Sequence, residues 1–308
     1  MVERVALIDL GSNAVRFALA HLIHGRSFRV VQEARARTRL AAGPRGGLTR
    51  SAVAATVAAT RRFLGRVDDG RPLRVVAIAT SAVRDAPNAY RLVEALREAA
   101  AIEVEVLGWE EEARLGAVAA LASLPLHDAL VVDLGGGSLQ LAQIRDREIS
   151  PLASLPLGAV RATRGFLRHD PPAPSEVRAL RHAVLELVAP VLPALPAPTR
   201  LVALGGTPRT LARMSVAGRG HRPPPSVHGL VFERTALVEL SARLQSLPLR
   251  RRRRLHGLKA TRADIVVAGA VVLQELMAVA GFRALTVCER GVRHGLLLRE
   301  TFGLEKRV

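Results

Sequence analysis

The sequence predicts two α/β domains of similar plan, each a mixed central sheet flanked by helices. Three observations carry this expectation. The chain has 308 residues, of which 49% are hydrophobic, enough for two domains with a core each. A strand that ends in aspartate, a glycine turn and a second strand occurs twice, as Val5-Ala6-Leu7-Ile8-Asp9-Leu10-Gly11-Ser12-Asn13 and as Leu130-Val131-Val132-Asp133-Leu134-Gly135-Gly136-Gly137-Ser138. Each copy is followed by further strand and helix patterns. A repeat of roughly 125 residues is too long for a solenoid unit and indicates a duplicated domain with a cleft between the copies. The expected domains are 1–124 and 125–308, with a last helix at about 293–308 packing back on the first.

The elements follow in order. Arg4 to Leu10 reads as a strand, Gly11-Ser12-Asn13 as a tight turn, and Ala14 to Ala20 as the returning strand. Ser27 to Ala36 completes a meander. Apolar residues at helical spacing behind a Thr49 cap predict a helix from Thr49 to Val67. Leu73 to Ala79 is a buried strand, Thr80 to Asn88 a loop or short turn, Ala89 to Ala100 a helix, Glu103 to Leu107 a strand, and Trp109 to Leu124 a helix. The second copy gives strands at Ala129–Asp133, Leu139–Ile144 and Glu148–Leu155, then helices at about Ala159–Arg168 and Ser175–Leu192. Prolines from Pro190 to Pro198 interrupt helix. Arg200 to Leu204 is a strand that ends in Gly205-Gly206-Thr207. Helices at Glu233–Gln245 and Ala263–Ala280, a strand at Ala284–Cys288 and a helix from Arg293 complete the pattern.

Composition narrows the function. The formal charge is +18, and Lys259 and Lys306 are the only lysines, so arginine carries it. Such a field attracts polyanions. One Trp, one Tyr and seven Phe are few for stacking on single-stranded bases, which disfavours a nucleic-acid partner. No apolar run is long enough to cross a membrane, and the start lacks the pattern of a secretory signal, so a cytoplasmic protein is expected. Cys288, the single cysteine, sits in an apolar run and reads as a buried structural thiol. The histidines show no metal-ligand spacing.

The two turns are the chemically informative segments. Glycine lets the backbone turn its N–H groups toward an anion and approach it closely. Ser12, Asn13 and Ser138 add side-chain donors, with Gly11, Gly135, Gly136 and Gly137 supplying backbone. Asp9 and Asp133 end their strands, where a carboxylate beside phosphate can hold Mg²⁺ directly or through water. Either turn alone also fits an ordinary hairpin. The matched pair points to phosphate binding.

These residues resemble the exopolyphosphatase and guanosine pentaphosphate phosphohydrolase family, in its short two-domain form. The likeness runs from Ile8 to about Leu297. Ile8 to Asn13 resembles its first phosphate loop, Ala79-Thr80-Ser81-Ala82-Val83-Arg84-Asp85-Ala86-Pro87-Asn88 a second signature, Glu111-Glu112-Ala113-Arg114 a third, and Asp133 to Ser138 the second phosphate loop. Gly205-Gly206-Thr207, Arg262 to Ala270 and Arg290 to Gly295 resemble later motifs. The resemblance implies two actin-like (ribonuclease-H-like) domains with the active site in the interdomain cleft. It also implies Mg²⁺-dependent release of terminal phosphate from inorganic polyphosphate or from guanosine pentaphosphate, a nucleotide of the stringent response, and a homodimer.

The resemblance places a catalytic glutamate at Glu111, where it would orient or deprotonate water. Glu112 is the fallback, and acidic residues in a first helical turn also serve the helix dipole. Arg84 and Arg262 are expected on phosphate, which suits the guanidinium fork. Arg293 fits an ion pair equally well. The five arginines from Arg250 to Arg254 read as a solvated basic surface, or more sharply as a track for the remote part of a polyphosphate.

The chain departs from the family pattern at Gln140, where an acidic residue is usual. Glutamine keeps an oxygen for a metal but has no charge and cannot act as a base. Slower turnover is the expectation. Two alternatives stay open: a non-catalytic sensor of polyphosphate or guanosine polyphosphates, which Gln140 favours, and an ATPase or kinase of the same fold, for which Gly205-Gly206-Thr207 is the only trace of a nucleotide pocket.

Overall fold

In the computed structural model each Asp–Gly turn joins two neighbouring strands at the middle of its own sheet. The structure describes residues 2–40, 46–192, 194–195, 199–218, 220–222 and 224–304. They divide into two compact units, Met1–Glu112 with Arg293–Val308, and Ala113–Val292. The sequence puts the boundary at 124/125, whereas the division falls between Glu112 and Ala113. Residues 193 and 196–198 of the proline-rich stretch and 305–308 of the expected last helix lie outside the described residues.

The first unit opens with β1 (Glu3–Leu10), β2 (Val15–Ile23) and β3 (Ser27–Ala36) as an antiparallel meander. Helix α1 (Arg50–Gly65) follows, and its Thr49 cap accepts a hydrogen bond from the Ala52 amide. Strand β4 (Arg74–Ala79) lies parallel to β1. The segment expected as a loop or short turn contains one helical turn, α2 (Ser81–Arg84), started by Val83 and Arg84 amides donating to the Thr80 carbonyl. A single turn carries no periodicity, which is why the sequence reads it as irregular. Then come α3 (Tyr90–Ala100), β5 (Val104–Val106), parallel to β4, and α4 (Trp109–Leu121). The sheet order is β3-β2-β1-β4-β5. Its core gathers Ile8, Phe17, Leu40, Phe63, Leu92 and Leu96, with the Phe17 and Phe63 ring centres 5.6 Å apart.

The second unit repeats the opening with β6 (Ala129–Leu134), β7 (Leu139–Arg145) and β8 (Glu148–Leu155). Helices α5 (Ala159–Phe166) and α6 (Pro174–Val188) follow, then β9 (Arg200–Gly205), parallel to β6. Next is α7 (Gly206–Gly218), which the sequence reading lacks. Its opening Gly-Gly-Thr-Pro looks like a loop, but proline is accepted in a first helical turn, where its missing N–H is not needed. Strand β10 (Val231–Glu233), also missed, is a three-residue edge. Helices α8 (Arg234–Ser246), the four-residue α9 (Leu249–Arg252) and α10 (Val266–Val279), then β11 (Ala284–Val287), finish this unit. Helix α11 (Val292–Phe302) leads back into the first. The sheet order is β10-β11-β9-β6-β7-β8. Helix α10 is apolar nearly all round and buried, as such a helix must be. Cys288 is buried beside Ala117, Val131 and Leu204, and its thiol donates to the Arg290 carbonyl at 3.1 Å. Burial, before any other influence, pushes that thiol's pKa up. The basic run is not one surface: Arg252 is buried and bonds the carbonyls of Leu247 and Ala263 and the Asp170 carboxylate. Among the described residues no helix is long and apolar enough to cross a membrane.

Glu176 ties down the start of α6. Its carboxylate accepts the backbone amides of Ala173 and Arg168 at 2.9 Å and the His169 ring nitrogen at 2.9 Å. Desolvation works against the charge, but His169 and the amides outweigh it and draw the pKa to about 2. A depressed carboxylate pKa contributes stability above the unfolded value of about 4.3, and that contribution is lost as pH falls toward the folded value. Glu176→Gln is therefore expected to lower the urea midpoint at neutral pH. The gap from the parent should narrow steadily from about pH 4.3 down toward pH 2, as followed by circular dichroism.

Candidate active site

In the first unit, antiparallel register sets Asp9 opposite Arg16 and Leu10 opposite Val15, so residues 11–14 make the turn. A Cβ on Gly11 would lie 3.2 Å from the Ala14 carbonyl oxygen, tighter than side chains normally tolerate. The Ser12 and Asn13 amides donate to no backbone acceptor among the described residues. The Asn13 side-chain amide nitrogen is buried, also without a hydrogen-bond partner. Buried donors normally have one, so the turn holds unspent N–H capacity. Ser12 is buried with its Oγ 3.4 Å from Ser81 Oγ. That contact joins the first loop to the second signature.

Asp9 is buried and has the Arg16 and Arg293 guanidiniums each 3.9 Å from Oδ2. Two cations already balance it. Arg293 also reaches Glu33 at 3.0 Å, an ion-pair role. Arg84 is engaged as well: its Nη1 donates to the Leu107 carbonyl at 2.9 Å and to the buried Glu112 at 2.8 Å. Those bonds tie α2 to the start of α4. The neighbouring Glu111 accepts from Arg299 Nη1 at 3.0 Å. Arg299 also donates to Glu105 at 3.1 Å. Burial alone would lower the Arg299 pKa, but the Glu105 and Glu111 carboxylates raise it.

In the second unit, the loop carbonyls are consumed from behind. The Ala159 amide donates to the Gly135 carbonyl, and the Val160 and Arg161 amides donate to that of Gly136. Gly158 permits this closeness, because a Cβ there would overlap the backbone of Gly136, Gly137 and Ser138. Gly135 closes the turn onto the Ser138 carbonyl at 3.1 Å. The Gly136 and Gly137 amides donate to no backbone acceptor among the described residues. Asp133 stands beside Gly205, whose φ is +102°. A Cβ on Gly205 would overlap the Leu134 carbonyl and lie 3.0 Å from Asp133 Oδ1. Cβ atoms on Gly116 and Gly291 would lie 4.0 and 3.6 Å from Oδ2. Three glycines thus leave the carboxylate without side-chain crowding on those sides.

Gln140 is buried, and its amide nitrogen donates to Ser138 Oγ and, at 3.4 Å, to Ser154 Oγ. Arg262 is buried, with its guanidinium over the Gly206 backbone and Nη2 donating to Thr207 Oγ1 at 3.2 Å. It therefore braces the start of α7. Among the described residues, one group of three or more side chains has metal-ligand closeness: His127, Asp128 and Asp146. Asp128 precedes β6 and Asp133 lies near its far end, so the two are separated by about 16 Å of strand. That group is an exposed ion-pair cluster, with both carboxylates on the His127 ring.

Of the residues singled out in the sequence, the structure brings Ser12 onto Ser81 of the second signature and Gln140 onto Ser138. The sequence reading does not single out Arg299, Arg16, Gly158 or Ser154, which contact those residues or their neighbours. The pairing of Asp9 with Arg16 follows from hairpin register and was available. Arg299 lies 188 positions from Glu111, and no local pattern announces it.

The model of the Ppx/GppA phosphatase family matches residues 20–302. The chain is 32% identical to Exopolyphosphatase 1 of Mycobacterium tuberculosis, over 96% of this chain and 88% of that protein. The crystal structure of the Aquifex aeolicus Ppx/GppA family member superposes with a TM-score of 0.81 at 28% identity, covering 97% of this chain and 98% of that one. An exopolyphosphatase from Cytophaga hutchinsonii gives a TM-score of 0.89 at 24% identity, over 98% and 99% of the two chains. The units have the actin-like fold of these neighbours.

Arg299 is 6% exposed, against 15% for Glu111 and 32% for Glu105. Removing it takes a guanidinium from two carboxylates at once. Arg299→Ala is expected to cost about 2 kcal/mol, between the ~1 kcal/mol of exposed pairs and the ~3–5 kcal/mol of fully buried ones. Urea denaturation reads the loss, and Arg299→Lys should recover part of it.

Proposed function

Because the chain belongs to the Ppx/GppA phosphatase family, we propose that it hydrolyses the terminal phosphoanhydride of inorganic polyphosphate. The observation that carries this reading is the set of unspent donors on the two loops: the Ser12, Asn13, Gly136 and Gly137 amides and the buried Asn13 side chain. Such amides suit phosphate oxygens. The relatives named exopolyphosphatase support polyphosphate as the substrate. Guanosine pentaphosphate, which presents the same kind of terminal anhydride, is proposed as the second substrate.

The residues divide the work. The loops and Ser138 bind and orient phosphate. Arg84, bonded to Glu112, adds a guanidinium from the second signature. Arg262 acts mainly through Thr207 and the start of α7. Glu111, steadied by Arg299, accepts a proton from water as its oxygen attacks the terminal phosphorus. The bridging P–O bond breaks, its electron pair goes to the shortened chain, and inorganic phosphate leaves. Positioning and charge stabilisation supply most of the acceleration in such reactions.

An Mg²⁺ ion fits the oxygen donors here. Asp133, with Gly116, Gly205 and Gly291 beside its carboxylate, would hold it, with Gln140 paired across the hairpin and Asp9, which Arg16 and Arg293 face, as the other candidate. When bound, the ion would neutralise charge on phosphate oxygens. Gln140 favours a second reading, a slow or non-catalytic sensor, because the uncharged amide is committed to two serine hydroxyls.

Phosphate release from polyphosphate, guanosine pentaphosphate and ATP, each with Mg²⁺ or EDTA, separates the readings. Release from polyphosphate that EDTA stops supports the hydrolase. Binding without release supports the sensor, and release from ATP alone an ATPase. Glu111→Gln is expected to lower kcat by about 10²–10⁴-fold with little change in KM, the scale of a lost general base. Glu112→Gln, which unfastens Arg84, should instead raise KM, and the reverse pattern would transfer the catalytic role to Glu112. Gln140→Glu should raise Mg²⁺-dependent turnover. Unchanged or lower turnover would remove Gln140 as the cause of a slow rate.

A further inference from the structure

Helices α1 and α3 of the first unit leave a groove between them, lined by residues outside the candidate site. Its cavity holds about 770 Å³, within the ~300–1,000 Å³ of small-molecule sites. On α1 the wall runs through Arg50, Val53, Ala54, Val57, Ala58 and Arg61, the spacing of one helical stripe. The opposite wall is Arg91, Ala95, Glu98 and Ala99 of α3. The core is filled from the other faces, by Ala52, Ala59 and Phe63 of α1 and by Leu92 and Leu96 of α3. Helix α1 thus carries a second apolar stripe, on the side where a surface helix normally places charge. Its polarity is partly inverted. Thr56 and Thr60 are buried, with hydroxyls that have no hydrogen-bond partner among the described residues, while Val53 and Val57 line the groove. Packing on the sheet alone would favour the opposite arrangement.

The ends of the groove are polar and unlike. Strands β3, β4 and β5 point the same way, so α1 and α3, which connect them in turn, run side by side in one direction. The Leu48 amide and carbonyl both bond the Asn88 side chain at 2.8 Å, which ties the two helix starts together. Arg50 and Arg91 therefore share one end, where both helix dipoles are positive. The Arg91 guanidinium lies over the Tyr90 ring, and its Nε donates to the phenol oxygen at 3.2 Å. Arg61 and Glu98, of opposite charge, stand toward the far end. Arg50 to Arg61 is about 16 Å of helix, a distance that an extended chain of about a dozen carbons spans.

We propose that this groove binds a medium-chain fatty carboxylate, its head on Arg50 and Arg91 and its tail along Val53, Val57, Ala54, Ala58 and Ala95. One anion with one apolar tail matches a groove that is positive at one end and apolar along its walls. The guanidinium fork suits two carboxylate oxygens, and the small alanines leave room for methylenes. A second copy of the chain would bring arginine onto arginine, against a net charge of +18.

Isothermal titration calorimetry of the full chain with dodecanoate, kept below its aggregation concentration, tests the site. One dodecanoate per chain is expected, with butanoate at least about tenfold weaker because buried methylenes supply affinity. Arg50→Gln/Arg91→Gln should weaken dodecanoate about tenfold, the scale of one lost charged contact. Ala58→Phe fills the groove from an exposed helix position and should weaken it by a similar factor. The control Arg62→Gln/Arg97→Gln removes exposed arginines of the same two helices from outside the groove and should stay within about twofold of the parent. Equal weakening by the control, indifference to tail length or to Ala58→Phe, or tighter binding of dodecyltrimethylammonium overturns the proposal. So does binding confined to vesicles of anionic lipid, which would assign the groove to a membrane surface, or to an acidic amphipathic helical peptide, which would assign it to a protein partner. Phosphate release plays no part in these measurements, so they stand or fall apart from the hydrolase reading.

Discussion

The Gly135 and Gly136 carbonyls accept hydrogen bonds from the first amides of α5, and much of the second unit's arrangement depends on those bonds. A glycine-rich turn in water has many conformations and points its donors nowhere in particular. Here the start of a helix grips the turn from behind and fixes which way its peptides face. The grip requires backbone against backbone, which is why Gly158 has no room for a side chain. It also satisfies the first amides of α5, which have no partner inside their own helix. One set of hydrogen bonds thus starts a helix and immobilises a loop whose Gly136 and Gly137 amides have no backbone acceptor among the described residues. Strand β9 adds the same closeness on the other side, where Gly205 lies against the Leu134 carbonyl.

The first unit reaches a similar end by charge. Its buried or half-buried carboxylates each meet arginine: Glu112 with Arg84, Glu111 and Glu105 with Arg299, Asp9 with Arg16 and Arg293. A buried carboxylate without such a partner is costly, and removing one partner strands the other. The arginine excess in the composition is therefore not only a field for attracting anions. Part of it is internal, spent on holding glutamates at the start of α4. Arg252 makes the same point in the second unit, where the middle of a basic run is a structural brace. Arg262 is comparable, since its guanidinium covers the Gly206 backbone and bonds Thr207.

What was legible in the sequence follows from the range over which each feature is encoded. Strands, hairpin turns and long helices depend on neighbours in the chain, so the meander at residues 4–36, the Thr49 cap and the duplicated turn were all readable. Helix α7 was missed because its first residues resemble a loop, and α2 because one turn has no period. The candidate site was readable as residue types only because glycine, serine and aspartate recur at matched strand ends, since either turn alone also fits an ordinary hairpin. Their partners were not. Whether Arg84 faces a ligand or Glu112, and whether Glu111 is steadied by Arg299, depends on side chains far apart in sequence. Arg16 is intermediate: hairpin register alone puts it beside Asp9.

Gln140 shows how binding and turnover separate in this architecture. Its position on β7 is fixed by pairing with Asp133, so the side chain enters the loop region whatever its chemistry. As glutamine it donates to the Ser138 and Ser154 hydroxyls, which a carboxylate cannot do. The hydroxyls are thereby held in place, and Ser138 is part of the loop that would meet phosphate. An amide here keeps the cradle hydrogen-bonded and carries no negative charge next to Asp133. Fewer negative charges favour a polyanion in its ground state and weaken the hold on a cation that would assist its cleavage. On the proposed reading, the same substitution would push affinity for phosphate and speed of hydrolysis in opposite directions.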